Sequence, residues 1–211
     1  MKTKQQTAPR KLPKQERSRH TVEAILQAAA EVFADEGYVR ANTNRIAERA
    51  GVSIGSLYQF FPNKDAILGS LLEHHLDEGR AFMDEEIPRL LQSGLPLETL
   101  LKRTVDALLD LHEKNPRLMW LLFRERPLPS AALAMLDEAE QSVARQLALF
   151  LRVHPEIDLP HPELAARVTF QVIELLVHWY GSLSEKMDVD RETFAAEIVR
   201  LLRGYLKPAE A

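Results

Sequence analysis

The short segment from Ser53 to Gln59 carries side chains whose types and spacing suit molecular recognition. On a helical wheel, Gly55, Ser56, Tyr58 and Gln59 share one side. Their hydroxyl and amide groups can donate and accept hydrogen bonds, and the small residues at the N-terminal end permit close approach. This side could therefore meet base edges or phosphates in the major groove of DNA. For Ser56 or Gln59 alone, a surface helix that touches nothing remains the alternative.

The opposite side of this helix is apolar, because Leu57, Phe60 and Phe61 fall within one arc. Ser53 is predicted to cap the helix at its N-terminus by accepting a backbone N–H. Pro62 is predicted to end it, because proline has no backbone hydrogen to donate. The segment is thus expected to pack through one side and present the other.

A second short helix is predicted just before this one, with Asn42 or Thr43 as its cap. Its expected buried side consists of Ile46, Ala47 and Ala50. Gly51 permits the left-handed turn between the two helices. The hydroxyl and backbone N–H of Thr43 are candidates to bind a phosphate, and Lys64 is a candidate for a further charge contact.

Residues 21–72 resemble the N-terminal DNA-binding domain of TetR-type transcriptional regulators. The matching motif has a first helix ending in Phe-Ala-Asp-Glu-Gly-Tyr, followed by Thr43, Ile46, Ala47, Ala50, Gly51, Val52, Ser53, Gly55, Ser56, Leu57, Tyr58, Phe61, Lys64 and Leu68. The resemblance implies that the third helix enters the major groove, that Thr43 and Lys64 grip phosphates, and that Asn44 can reach a base. Ser56 stands where the family often has Thr, and Gln59 where aromatic residues are frequent, so the operator sequence is left open.

The whole chain is predicted to be all-α, with about nine helices and no convincing strand pattern. Apolar periodicity between proline, glycine and asparagine breaks predicts further helices at about 97–115, 116–126, 130–153, 163–186 and 191–206. We expect a flexible basic arm at 1–17, a helix-turn-helix domain at 18–64 and a body at 65–211. For the arm, a tail without a function is as good an interpretation as a segment that binds phosphates.

The resemblance implies that the body dimerises through its last two long helices and encloses a pocket for a small-molecule effector. Two apolar faces near the C-terminus agree with this expectation, and they consist of Val168, Val172, Leu175, Leu176, Trp179 and Leu183, and of Phe194, Ile198, Leu201, Leu202 and Tyr205. The same residues could equally form the core of one protomer.

Candidate pocket residues lie on two predicted helices of the body. They are Met119, Trp120 and Phe123 on one helix, and Phe170, Gln171, Glu174 and His178 on the other. Glu174 and His178 are four residues apart and so share a helix face, where they could orient a polar ligand group. Core packing of the aromatic residues, and a solvated or interfacial Glu–His contact, are the alternatives.

Composition narrows the class of function. Residues 1–64 hold 11 Lys and Arg against 6 Asp and Glu, a net charge of +5, whereas residues 65–211 hold 16 against 25, a net charge of −9. A basic head and an acidic body suit a protein that binds DNA at one end, and an uneven surface charge without functional meaning is the alternative. The chain has no cysteine and no histidine spacing typical of a metal site, and we expect no cofactor.

No catalytic constellation is recognisable, so an enzyme is not expected. No apolar run approaches the length of a membrane span, and we expect a cytoplasmic protein. The leading hypothesis is a homodimeric, effector-responsive transcriptional regulator, acting as a repressor on a pseudo-palindromic operator in double-stranded DNA. The alternative keeps the DNA-binding head but has the body bind a protein partner in place of a small molecule.

Overall fold

The computed structural model describes residues 16–114, 121, 128–183 and 188–207. These residues form eight helices and contain no strand, which confirms the all-α prediction. The helices are α1 (Glu16–Glu36), α2 (Thr43–Arg49), α3 (Ile54–Phe60), α4 (Lys64–Gln92), α5 (Leu97–Lys114), α6 (Ser130–Val153), α7 (Pro162–Leu183) and α8 (Arg191–Leu206).

Helix ends follow local capping chemistry. The side chain of Asn42 caps α2, Ser53 caps α3 and Asp190 caps α8, each by accepting a backbone N–H three residues ahead. The bounds of α6 and α8 coincide with the predicted 130–153 and 191–206. Of the predicted helix at 116–126 only Leu121 is described, and it is helical; the last three residues of the predicted 163–186 helix lie outside the described residues.

The sequence predicts a fourth helix that is capped by Asn63 and runs towards Pro88, but the helix continues past this proline. Pro88 lies inside α4, which ends only at Gln92. Proline removes one backbone hydrogen bond, and near the end of a long helix this loss interrupts little of the ladder. The helix ends before Gly94, whose φ of 62° lies in the left-handed region that terminates helices.

The first compact unit comprises Met1–Asp77 and Arg117–Leu136. Within its described part, α1, α2 and α3 share one core with the first turns of α4. Because Ile67, Leu68 and Leu72 of α4 are fully buried in that core, this unit continues beyond the predicted boundary after Lys64. The functional division into arm, DNA-binding domain and body stays a prediction.

The second compact unit comprises Glu78–Pro116 and Asp137–Ala211. Its described core is built mainly by α5, α7 and α8, which pack on one another. Tyr180 of α7 stacks on Phe194 of α8, with ring centroids 4.5 Å apart. Glu156 accepts a hydrogen bond from the backbone N–H of Leu97 at 2.8 Å and another from Lys207 at 3.0 Å, which ties both ends of this core together.

Among the described helices, none combines the length and the apolar character that crossing a membrane requires.

Candidate nucleic-acid interface and buried polar cluster

The turn between α2 and α3 is held by its own backbone and caps. Ser53 Oγ accepts from the N–H of Ser56 at 3.0 Å, and Val52 N–H donates to Ala47 O at 3.0 Å. Gly51 joins the two helices with a φ of 67°, a conformation that costs residues with a Cβ about 1–2 kcal/mol. Two helices of seven residues each are thereby fixed at a definite turn.

The two sides of α3 separate as the sequence predicted. Leu57 is completely buried, and Phe60 and the following Phe61 are buried with it in the core of the first unit. Gly55 and Gln59 are exposed on the other side. The packing side is therefore confirmed, while a role for the exposed side in reading DNA stays a prediction at this point.

Hydroxyl groups are paired at both ends of the exposed side. The hydroxyl groups of Thr43 on α2 and Tyr58 on α3 lie 2.9 Å apart, so the predicted phosphate contact and the predicted reading residue form one hydrogen-bonded pair. Ser53 Oγ and Ser56 Oγ are also 2.9 Å apart. Asn44 is exposed on the first turn of α2. These side chains are thus partly pre-oriented before any partner binds.

Gly55 has no role in the fold that demands glycine. A Cβ at this position would meet only Ser53 Oγ, at an ordinary 3.8 Å, and the residue does not have a positive φ. Glycine inside a helix costs about 0.5–1 kcal/mol relative to alanine. A residue that weakens its own helix without relieving a clash points to a partner that approaches the backbone of α3 closely.

Lys64 begins α4 and points its ammonium group into the loop between α1 and α2. Its Nζ donates to the carbonyl oxygens of Tyr38, Val39 and Ala41 at 2.7, 3.1 and 3.0 Å, and lies 4.5 Å from the centre of the Tyr38 ring. Burial lowers the pKa of Lys64, and Asp65 opposes that shift. An ammonium has three hydrogens, so a phosphate contact would have to replace one of these bonds.

The folded head is less basic than the first 64 residues suggest. Residues 18–64 hold five Lys and Arg and five Asp and Glu, so the net +5 of residues 1–64 resides in residues 1–17. Arg45 contacts Glu36 at 2.9 Å, and Arg49 contacts Glu31 at 3.2 Å. These arginines of α2 therefore pair with acids of α1, and the excess positive charge lies in the predicted arm.

The predicted pocket residues have different positions in the second unit. Glu174 and His178 are partly buried and in contact, with Glu174 Oε2 3.5 Å from His178 Nδ1, as their spacing predicted. Phe170 is also partly buried, whereas Gln171 is exposed. Met119, Trp120 and Phe123 lie outside the described residues. Whether any of these residues binds a ligand stays a prediction.

His112 of α5 joins Glu174 and His178 in a cluster that the sequence did not reveal. His112 Nε2 lies 3.6 Å from Glu174 Oε2, and the two imidazole rings meet edge to face with centroids 4.5 Å apart. Ligand atoms of the three side chains all lie within 4.8 Å of one another. The spacing of histidines in the sequence did not indicate this grouping, because the third residue comes from a different helix.

The pKa values of the two imidazoles in this cluster are shifted in opposite directions. Burial opposes protonation of His112, but the hydrogen bond and charge of Glu174, together with the carbonyl of Leu108, outweigh it and raise the pKa of His112. Burial lowers the pKa of His178, and His112 lowers it further against the attraction of Glu174. Glu174 therefore favours the protonated form of His112, whereas burial favours the neutral form of His178.

Two family models match the chain in succession. The model described as bacterial regulatory proteins, tetR family, matches residues 25–71, and the model described as tetracyclin repressor-like, C-terminal domain, matches residues 96–206. The first match contains α2 and α3, and the second contains α5, α6, α7 and α8.

Curated relatives and a solved structure agree with these matches. An HTH-type transcriptional repressor of Mycobacterium tuberculosis, Rv3405c, is 31% identical over 163 residues, which cover 71% of this chain and 79% of that protein. The fatty acid metabolism regulator protein of Bacillus subtilis is 40% identical over 63 residues, and this match covers 30% of the chain and only 32% of that protein.

The crystal structure of the transcriptional regulator FadR from Bacillus subtilis, in complex with stearoyl-CoA, has the same fold. It matches with a TM-score of 0.70 at 22% identity, covering 89% of this chain and 99% of that one. The N-terminal and the C-terminal match thus indicate the same protein family, whose members are DNA-binding transcription factors and not enzymes. The chain belongs to the TetR family of bacterial transcriptional regulators.

Proposed function

We propose that this protein is an effector-responsive repressor that binds a pseudo-palindromic operator as a homodimer in the cytoplasm. Two copies of α3 would enter successive major grooves, and an effector in the second unit would favour a spacing of the heads that does not fit them. The observation that carries the proposal is the exposed polar side of α3, with a glycine at Gly55 that the fold itself does not need.

The proposed DNA contacts fall into two groups by chemistry. Gln59 can pair with adenine through its amide, and Asn44 is exposed on the first turn of α2, from which a base could be reached. The hydroxyl groups of Thr43, Ser53, Ser56 and Tyr58 are proposed to bind phosphates. The side chains of Ser56 and Tyr58 are alternatively proposed to contact a thymine methyl group. Gly55 allows the backbone to approach. Lys64 is proposed to act first by holding the loop after α1, because its three hydrogens are already donated to carbonyls.

Apolar side chains left exposed on α7 and α8 support the proposed dimer. Leu175 is 56% exposed and Leu201 is 54% exposed, although both helices already bury another face in the core of the second unit. Trp179 and Tyr205 follow them by four residues and are also exposed, so each helix presents an apolar stripe. A second copy that covers these stripes would remove this apolar surface from water.

The effector is proposed to bind in the second unit, where Glu174 and His178 place polar groups among apolar helices. The relative crystallised with stearoyl-CoA makes acyl-CoA thioesters reasonable first probes. A protein partner in place of a small molecule is the competing proposal. Release of operator DNA by a purified small molecule favours the first, and release only by a purified protein favours the second.

The DNA proposal is tested by selecting bound fragments from genomic DNA and then measuring affinity for the selected site. Gln59→Ala should weaken specific binding by about 1–3 kcal/mol, the usual value of one base-reading contact. Gln27→Ala is the matched control, because Gln27 is exposed in the same unit but lies on α1. Equal affinities of the two variants would refute the assignment of α3 as the reading helix.

The dimer proposal has its own test. Leu175→Glu combined with Leu201→Glu should yield monomers in sedimentation equilibrium and reduce operator binding to that of a half-site. Leu149→Glu is the control, because Leu149 is 66% exposed but lies on α6. A double variant that remains dimeric would place the interface elsewhere.

A further inference from the structure

The cluster of His112, Glu174 and His178 has the donor set of a transition-metal site. It offers two imidazoles and one carboxylate, whose ligand atoms lie within 4.8 Å of one another. We propose that these three side chains bind one divalent transition-metal ion, of which zinc is the reference. The inference does not depend on the proposed regulatory function, because the affinity for the ion is measured without DNA or effector.

The hydrogen bonds of both rings prepare them for an ion. Nδ1 of His112 lies 2.7 Å from the carbonyl oxygen of Leu108, and Nδ1 of His178 lies 2.7 Å from the carbonyl oxygen of Glu174. A carbonyl only accepts, so Nδ1 carries the hydrogen in each ring, and in the neutral ring the lone pair is on Nε2. Histidines that bind metals are commonly fixed in this way, through donation by the other ring nitrogen.

The distance between the donor atoms of His112 and Glu174 is close to that required by a four-coordinate ion. Zinc binds imidazole nitrogen and carboxylate oxygen at about 2.0–2.2 Å, so two ligands at a tetrahedral angle lie about 3.3–3.5 Å apart. His112 Nε2 and Glu174 Oε2 are already 3.6 Å apart. A ring nitrogen of His178 lies within 4.8 Å of these two atoms. The nitrogen 3.5 Å from Glu174 Oε2 is Nδ1, so the His178 side chain must rotate to present Nε2 to the ion.

The chemistry of the donors selects the class of ion. Imidazole suits zinc, copper, nickel and iron, whereas magnesium and calcium prefer shells made of oxygen. The carboxylate would offset part of the ion's charge in a partly buried site. Three protein ligands leave one tetrahedral position for water, and Glu174, whose side chain is 26% exposed, provides contact with solvent.

The test uses the full-length, tag-free protein after treatment with a chelator. Zn²⁺ is titrated in competition with a chromophoric chelator, and we expect one ion per chain, with no competition from an equal concentration of Mg²⁺. Glu174→Gln and His112→Gln should each weaken binding at least about tenfold, since even loss of an outer-shell partner typically costs that much. Co²⁺ should give the intense visible absorption of a four-coordinate ion with the wild-type protein and lose it with Glu174→Gln.

Matched controls are available on the surface of the same unit. His161→Gln and Glu197→Gln remove an exposed imidazole and an exposed carboxylate outside the cluster, and both should bind Zn²⁺ as the wild-type protein does. Circular dichroism verifies that each variant is folded, and His178→Asn replaces any cluster variant that is not. The proposal is overturned if the wild-type protein binds no stoichiometric Zn²⁺ at micromolar concentration and gives no cobalt spectrum. It is equally overturned if cluster variants bind as the controls do.

Discussion

Replacing Lys64 by methionine should destabilise the first unit even when no DNA is present. The ammonium donates three hydrogen bonds to the carbonyls of Tyr38, Val39 and Ala41. Hydrogen bonds to charged groups contribute about 1.5–3 kcal/mol each, but water can reach part of this loop, and bonds to one group are not additive. We therefore expect a loss of about 2–4 kcal/mol in the free energy of unfolding.

Chemical denaturation without DNA measures this loss, and native-state hydrogen exchange assigns it to the amides of α1 and α2. Lys64→Arg distinguishes the two possible roles of the residue. A phosphate contact accepts either cation, but three converging carbonyls fit a compact ammonium and not a planar guanidinium. Lys64→Arg should therefore also be destabilised, by at least about 1 kcal/mol.

The result that would refute this reasoning is specific. The free energy of unfolding of Lys64→Met would differ from that of the wild-type protein by less than about 0.5 kcal/mol, as it does for ordinary surface substitutions. The variant would nevertheless lose operator affinity, and Lys64→Arg would restore that affinity. Lys64 would then act as a phosphate contact, and its bonds to the loop would contribute little to the fold.

Three further predictions concern other parts of the chain. Gly51→Ala should cost about 1–2 kcal/mol of stability because its φ is 67°, whereas Gly55→Ala should keep or raise thermal stability and weaken operator binding measured by fluorescence anisotropy. Deleting residues 2–14 removes five Lys and Arg and should reduce the slope of log affinity against log salt by up to about 4.5 per chain, with unfolding unchanged. An unchanged slope would mean that the arm does not touch phosphates. The pKa of Glu156 is lowered by the backbone N–H of Leu97 and by Lys207, so its stabilisation is present above its ordinary pKa of 4.5 and lost as pH falls through the lowered value. Urea denaturation from pH 7 to 3 should therefore show less acid dependence for Glu156→Gln, and parallel curves would contradict this.

Local signals in the sequence were sufficient for most helix ends and for the two sides of α3. Ser53 caps α3 with its own side chain, and the apolar spacing of Leu57, Phe60 and Phe61 needs only the period of the helix to indicate burial. Pro88 was misleading because a proline near the end of α4 removes one bond that the remaining turns can spare.

Ion pairs and hydrogen bonds between residues distant in sequence were less predictable, because only the fold determines which charged groups meet. The sequence showed a basic first third, but Arg45 and Arg49 of α2 are paired with acids of α1. Lys64 resembled a phosphate contact from its place in a motif, yet its hydrogens are donated to a loop more than twenty residues earlier. A motif identifies a position, whereas the bonds at that position depend on neighbours distant in sequence.

The cluster of His112, Glu174 and His178 in the second unit was the least predictable of these contacts. The spacing of Glu174 and His178 was visible, and alone it favoured a solvated contact. His112 turns this pair into a partly buried set of three donors, and it does so from α5, separated from α7 by α6. No periodicity links the two segments, because packing of α5 against α7 brings them together. Apolar residues that carry no chemistry thus position the donors, so a metal site of this kind is recognisable only after the core has been built.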